Sequence, residues 1–169
     1  MTPIRKPRFT PIPMNQKEKR RTAPATPSKE ALRTWLRLLS CETVIEQQLR
    51  SRFRTQFSVT LPQFDVLSEL ERAGQPMTMS ELSTELMVSN GNVTGVIDRL
   101  EKSGFVTRTR AEHDRRIQYI ELTDKGRREF DEMASNHERW LDELFRDLTL
   151  ADMATLQKLL LKTRTSASA

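Results

Sequence analysis

From Ser28 onward the apolar residues recur at steps of three and four, the spacing of one face of an α-helix. Trp35, Leu38, Cys41, Ile45, Leu49 and Phe53 mark the first such stripe, and Phe57-Ser58-Val59 breaks it. Residues suited to capping a helix follow each break. Thr60-Leu61-Pro62-Gln63 and Thr78-Met79-Ser80-Glu81 both have capping-box spacing, a hydroxyl followed three residues later by Gln or Glu. Ser89, Thr123 and Thr149 stand at the heads of three further periodic segments. Gly74 and Gly104 fall where the second and fourth helices end, as glycine does at a left-handed C-terminal position.

The remaining stripes follow the same period. Phe64, Leu67 and Leu70 belong to the second helix, Leu82 and Leu86 to a short third, and Val93, Val96, Ile97 and Leu100 to a fourth. Phe130, Met133, His137, Trp140, Leu141 and Leu144 mark a long fifth helix, and Met153, Leu156 and Leu160 a sixth, with Thr165–Ala169 expected to fray. Only 105–110 and 117–122 depart from this period. Their β-branched and aromatic residues (Val106, Thr107, Ile117, Tyr119, Ile120) flank a charged tip and predict a two-stranded hairpin. The expected fold is mainly α with one small β-hairpin, in a domain over 28–165. Two short capped helices followed by a hairpin make a winged helix-turn-helix, placing a DNA-binding lobe at 60–122. Helices 28–57 and 124–164 carry wide apolar stripes without an intrachain partner of matching length. They are expected to be dimerisation helices, packing against the same elements of a second copy.

The net charge of +5 points to nucleic acid less directly than it suggests. Residues 1–27 hold seven of the 28 Lys and Arg residues but only one acid, Glu18, so the rest of the chain carries 21 bases against 22 acids. That same stretch contains six of the eight prolines and no apolar period, and is expected to be a disordered basic leader. It either solubilises the chain or tracks DNA phosphates. No apolar run reaches the roughly 18 residues of a membrane span, and a lone cysteine, Cys41, fits a reducing cytoplasm. With two histidines, no metal-ligand spacing, no phosphate-binding glycine loop and no nucleophile elbow, the residues point away from an enzyme and call for no cofactor.

On the fourth helix Val93, Val96, Ile97 and Leu100 share one face, while Gly91, Gly95, Asn92, Thr94, Arg99 and Lys102 lie on the other. Each mid-helix glycine costs roughly 1 kcal/mol against alanine. That cost is explained if something large approaches the backbone, or if the glycines admit a tightly packed neighbouring helix. Ser89, Asn90, Asn92 and Thr94 can reach base edges or phosphates in a major groove. Asp98 would repel phosphate unless it pairs with Arg99 or accepts from cytosine N4. The hairpin tip Asp114-Arg115-Arg116, with Arg108 and Arg110 on one strand face, suits a narrow, electronegative minor groove. Asp114 is expected to hold an arginine rather than to touch phosphate.

Asp114-Arg115-Arg116, five residues, Leu122-Thr123, two residues and Gly126 resemble the wing signature of MarR-type regulators. Leu61–Leu70, Met79-Ser80-Glu81-Leu82 and Val93–Gly104 are similar to the same family, so the resemblance covers about residues 30–162. It implies a homodimer on double-stranded DNA at a pseudo-palindromic operator, with half-sites about 34–36 Å apart. It also implies a recognition helix starting at Ser89, and Arg115 or Arg116 in the minor groove. The stretches Leu38–Glu42, Leu61–Asp65 and Ser89–Gly95 look like a branch controlling aromatic-acid catabolism, whose members sense aromatic acyl-CoA thioesters. That implies a repressor released by a small aromatic acid or its CoA thioester.

An apolar ring needs a concave pocket with a few polar anchors. Trp35, Leu38, Phe53, Phe57 and Phe64 are the candidate walls, with Arg52 at the edge of the stripe as anion partner; the alternative is that these aromatics are core. Cys41 offers another function, a thiol-based redox-sensing repressor, although its place on the apolar stripe predicts structural burial. His137, between Met133 and Trp140, is expected to be a buried histidine rather than a metal ligand.

Overall fold

The computed structural model describes residues 27–88, 90–111, 114 and 117–168. Six helices and three strands run in the order α1 (Pro27–Phe57), α2 (Leu61–Ala73), β1 (Met77–Thr78), α3 (Met79–Glu85), α4 (Asn90–Lys102), β2 (Val106–Arg110), β3 (Gln118–Leu122), α5 (Asp124–Leu144) and α6 (Leu150–Ala167). The chain divides into two compact units, 1–40 and 41–169. In the first, residues 27–40 are helical and exposed throughout, Trp35 and Leu38 among them, and Arg33 pairs with Glu30 at 2.5 Å. The expected basic leader lies almost wholly outside the described residues.

The second unit is organised by its caps. In α2 the Gln63 side chain accepts from the Thr60 N–H at 2.9 Å, and Gly74 closes the helix at φ 63°. Thr78 accepts from the Glu81 N–H at 3.2 Å while Glu81 accepts from the Thr78 N–H at 2.7 Å, which holds the Glu81 carboxyl below its ordinary pKa. Thr149 and Asp152 make the same reciprocal pair at the start of α6. Satisfying these otherwise orphaned amides sets where each helix begins.

The sheet is antiparallel, in the order β1-β3-β2, with Met77 opposite Ile120 and Val106 opposite Leu122. It therefore has three strands, one more than the expected hairpin. β1 is only two residues long and is a strand solely because β3 pairs with it from more than forty residues away. Phe53, Leu67, Leu82, Ile97, Leu100, Ile120, Met133 and Trp140 form the best-buried part of one core that joins α1, α2, α3, α4, the sheet and α5. This is the winged helix-turn-helix expected from the sequence. The predicted fray at the C-terminus is not observed; α6 continues to Ala167. No residue of α6 is buried, and Leu150, Leu156, Leu159, Leu160 and Leu161 are all exposed. Among the described residues, no helix is long and apolar enough to cross a membrane.

The loop from β3 into α5 is where backbone contact is tightest. Thr123 donates from its hydroxyl to the Gly104 carbonyl at 2.7 Å and accepts from the Gly126 N–H at 2.9 Å. A Cβ on Gly126 would stand 2.0 Å from the Phe105 carbonyl oxygen, so only glycine admits this approach.

Candidate nucleic-acid interface

α4 buries Val93, Val96, Ile97 and Leu100 and turns its other face to solvent. Asn92, Thr94, Arg99 and Lys102 are exposed on it. Among the described residues, a Cβ added at Gly91 or Gly95 would meet nothing within 4 Å, so neither glycine seats a neighbouring helix there. Ser89 and the Asn90 side chain fall outside the description. Met87, just before α4, holds a left-handed backbone (φ 53°) and is 82% exposed.

In the wing, Val106, Arg108 and Arg110 share one face of β2, as alternation requires. The first two turn toward the protein. Arg108 donates to the Asp98 carboxylate, and its buried Nε lies 3.3 Å from Glu101 Oε2, within ion-pair range but off hydrogen-bond geometry. Asp98 thus pairs with Arg108, rather than with Arg99 or an incoming base. Of the two strand arginines expected at DNA, Arg108 is engaged by α4 and Arg110 is exposed. At the tip, the Ile117 N–H donates to the Asp114 carbonyl at 2.9 Å. Arg115 and Arg116 lie outside the described residues.

The residues expected to form a ligand pocket fall in both units. Trp35 and Leu38 belong to the first unit. In the second, Phe53 is completely buried and Phe64 nearly so, their ring centroids 4.4 Å apart, with Trp140 5.0 Å from Phe53 and His137 5.0 Å from Phe64. Phe57 packs on Trp140 at 6.2 Å. These rings pack together between α1, α2 and α5, with Phe53 and Phe64 in the core, as the core alternative expects. Arg52 is ion-paired to Glu143 at 2.6 Å with its guanidinium 5.8 Å over the Trp140 ring. His137 is half-buried among the rings, and loss of hydration lowers its pKa. Cys41 is exposed in this chain, contrary to the burial expected of it.

A cleft of about 440 Å³ opens elsewhere, between the end of α1, the start of α2 and α4. Leu61, Pro62, Val66, Val88, Val93 and Val96 give it an apolar floor; Arg50, Arg54, Asp65, Asn92 and Arg99 supply polar groups. The Asp65 side chain is exposed at the cleft, and partial desolvation there pushes its carboxyl up to about 6, with Arg50 opposing the shift and Glu46 and Glu69 adding to it. Sequence reasoning missed this cleft. Arg50 and Arg54 are four apart on one helix, but nothing in one dimension brings them to Asp65 or to α4.

A MarR family model matches residues 59–118. An uncharacterised HTH-type transcriptional regulator of Bacillus subtilis, YsmB, is 32% identical over 119 residues, which is 70% of this chain and 80% of that protein. Another such regulator, of Bacillus cereus, is 37% identical over 92 residues, 54% of this chain and 59% of that protein. A mutant MarR from E. coli, solved in complex with operator DNA, superposes with a TM-score of 0.71 at 26% identity, covering 82% of this chain and 99% of that one.

Proposed function

The chain belongs to the MarR family of transcriptional regulators, and from that membership we propose that it works as a homodimeric, DNA-binding repressor released by an aromatic effector. α4 enters the major groove, where Ser89, Asn90, Asn92, Thr94, Arg99 and Lys102 meet bases and phosphates. The hairpin tip brings Arg110, Arg115 and Arg116 to the adjacent minor groove, and Asp114 orients an arginine there. Arg108 acts at one remove, fixing the wing to α4 through Asp98. The observation that carries this reading is the open, polar, glycine-bearing face of α4 beside the wing. The operator is pseudo-palindromic, with half-sites one helical turn apart.

The effector is an aromatic acid or its CoA thioester, and the genes controlled are those of aromatic-acid catabolism. Its site is the cleft beside α4, whose arginines and apolar floor suit an anionic ring compound. Asn92 and Arg99 line that cleft and also stand on the DNA face, so an occupied cleft competes with operator for the same helix. Gel shifts on the chain's own promoter, repeated over several salt concentrations, test the DNA reading. A steep salt slope is expected, as is loss of the shift when Arg115 and Arg116 are both alanine. Deletion of 1–27 abolishing binding while the double alanine variant still binds would overturn the mechanism. Calorimetry with an aromatic acid and its CoA thioester decides which is bound. The exposure of Cys41 favours a second reading, thiol-based release: peroxide would free DNA from the native chain but not from Cys41→Ser.

A further inference from the structure

We infer that Asn92 sets the operator's sequence by reading an adenine, and that the base pairs under the first turns of α4 are A·T. This rests on the DNA-binding reading of α4 and adds what that reading leaves open, which bases the helix selects.

The buried stripe of α4, Val93, Val96, Ile97 and Leu100, fixes which residues stand opposite it. At about 100° per residue, Gly91 and Gly95 crown the outer face. Asn92 flanks them on the side of the cleft it lines. Thr94 flanks them on the side of the wing, four residues before Asp98, which holds Arg108 of β2. Both flanking residues are exposed and both side chains are short. A short side chain reaches a base edge only where the helix backbone lies close to the groove floor. The two glycines permit that approach, because among the described residues a Cβ at either would meet nothing within 4 Å.

The groups on this face then limit what can be read. In the major groove guanine takes arginine or lysine on O6 and N7, and cytosine takes a carboxylate on N4. Adenine takes asparagine or glutamine on N6 and N7, and the thymine methyl takes an apolar contact such as the threonine methyl. The first turns of a recognition helix are the ones that meet base edges. Residues 90–97 of α4 carry no charge. The cations, Arg99 and Lys102, lie about 10 Å and about 15 Å along the axis from Asn92, where they serve phosphates. The carboxylates, Asp98 and Glu101, both face Arg108. Guanine and cytosine are left without a reader in the first turns of α4, whereas Asn92 matches adenine and Thr94 the methyl of thymine.

Selection of binding sites by the full-length protein, without added effector, from a duplex pool randomised over about 20 base pairs, two helical turns, tests this. Sequencing should return half-sites with A·T pairs at the positions α4 covers. The same selection with Asn92→Ala should lose the A·T preference at one position in each half-site and keep the others, and Asn92→Arg should turn that position to G·C. On a selected duplex, replacing that A·T pair by G·C should weaken native binding about tenfold and leave Asn92→Ala binding unchanged. Arg99→Ala should instead weaken every duplex alike and flatten the salt dependence. Half-sites selected with G·C at the covered positions, or a preference relaxed by Asn90→Ala and untouched by Asn92→Ala, overturn the assignment and leave DNA binding standing. No sequence enriched and no salt-dependent binding overturn the DNA-binding reading and the assignment with it.

Discussion

At Arg108 the charge pattern of the wing and its three-dimensional use diverge. Alternation along β2 puts Arg108 and Arg110 on one face, and both were expected at DNA. The sheet, however, packs against α4, and Asp98 and Glu101 on that helix stand where Arg108 arrives. The Asp98 side chain of this pair is half-exposed, and pairs open to solvent on one side add only about 1 kcal/mol to a fold, so the pair matters for where it holds the wing. Arg108→Ala and Asp98→Ala are each expected to weaken operator binding about tenfold, ~1.4 kcal/mol, with little change in melting temperature. The double variant should be no worse than either single, because both remove one interaction. If Asp98→Ala binds normally while Arg108→Ala does not, Arg108 touches DNA directly. Asp65 gives a second test at this scale. Its carboxyl keeps a proton up to about pH 6 in the folded protein but releases it near 3.8 when unfolded. Between those values the unfolded state binds fewer protons, so stability falls as pH rises, and the penalty persists above pH 6. Asp65→Asn should therefore be more stable than the native chain at pH 7, in urea denaturation, with the difference closing toward pH 4.

Element by element, most boundaries were legible, because each rests on local chemistry. Thr78, Thr123 and Thr149 accept from the first amides of their own helices, Gln63 accepts from the Thr60 N–H at the head of α2, and Gly74 and Gly104 take the left-handed conformation at helix ends. β1 was not legible, since two residues carry no alternation and owe their strand character to β3. α6 shows the reverse error: Thr165-Ser166-Ala167 are small, carry no apolar stripe and read as frayed, yet hydrogen bonds to the preceding turn carry the helix on. For α4 the sequence left two explanations of its glycines, and the open space at both favours approach from outside. Gly95→Ala is accordingly expected to act in opposite directions on fold and function. It should raise stability by up to about 1 kcal/mol, the helix-propensity gain, and weaken operator binding, both read on one purified protein by thermal melt and gel shift. Operator affinity unchanged by the new methyl would mean that nothing approaches the backbone at that point.

For the whole molecule, the proposed homodimer is tested at the leucines of α6. A helix whose apolar residues are all at least partly exposed contributes little to the core of its own chain, and such a surface suits the second copy of the proposed homodimer. Leu156 and Leu160 lie four apart on α6, each 41% exposed. Glutamate at both positions should convert a dimer to a monomer in sedimentation, leave the helical circular dichroism intact, and abolish cooperative operator binding. A variant that remains dimeric would place the interface elsewhere. The sequence by itself determined the helix starts and stops, the order of the elements and the polar face of α4, because capping and three-to-four periodicity act over a few residues. It also carried the Asp-Arg-Arg wing and its Leu-Thr…Gly sequel, although only the tertiary structure explains the sequel: Leu122 pairs across the sheet with Val106, and Gly126 passes against the Phe105 carbonyl. Tertiary structure alone decided that Phe53 and Phe64 are core, that Arg108 belongs to Asp98, and that Arg50, Arg54, Asp65 and Arg99 share a cleft. Those outcomes depend on which distant surfaces meet, and neither residue type nor spacing encodes that.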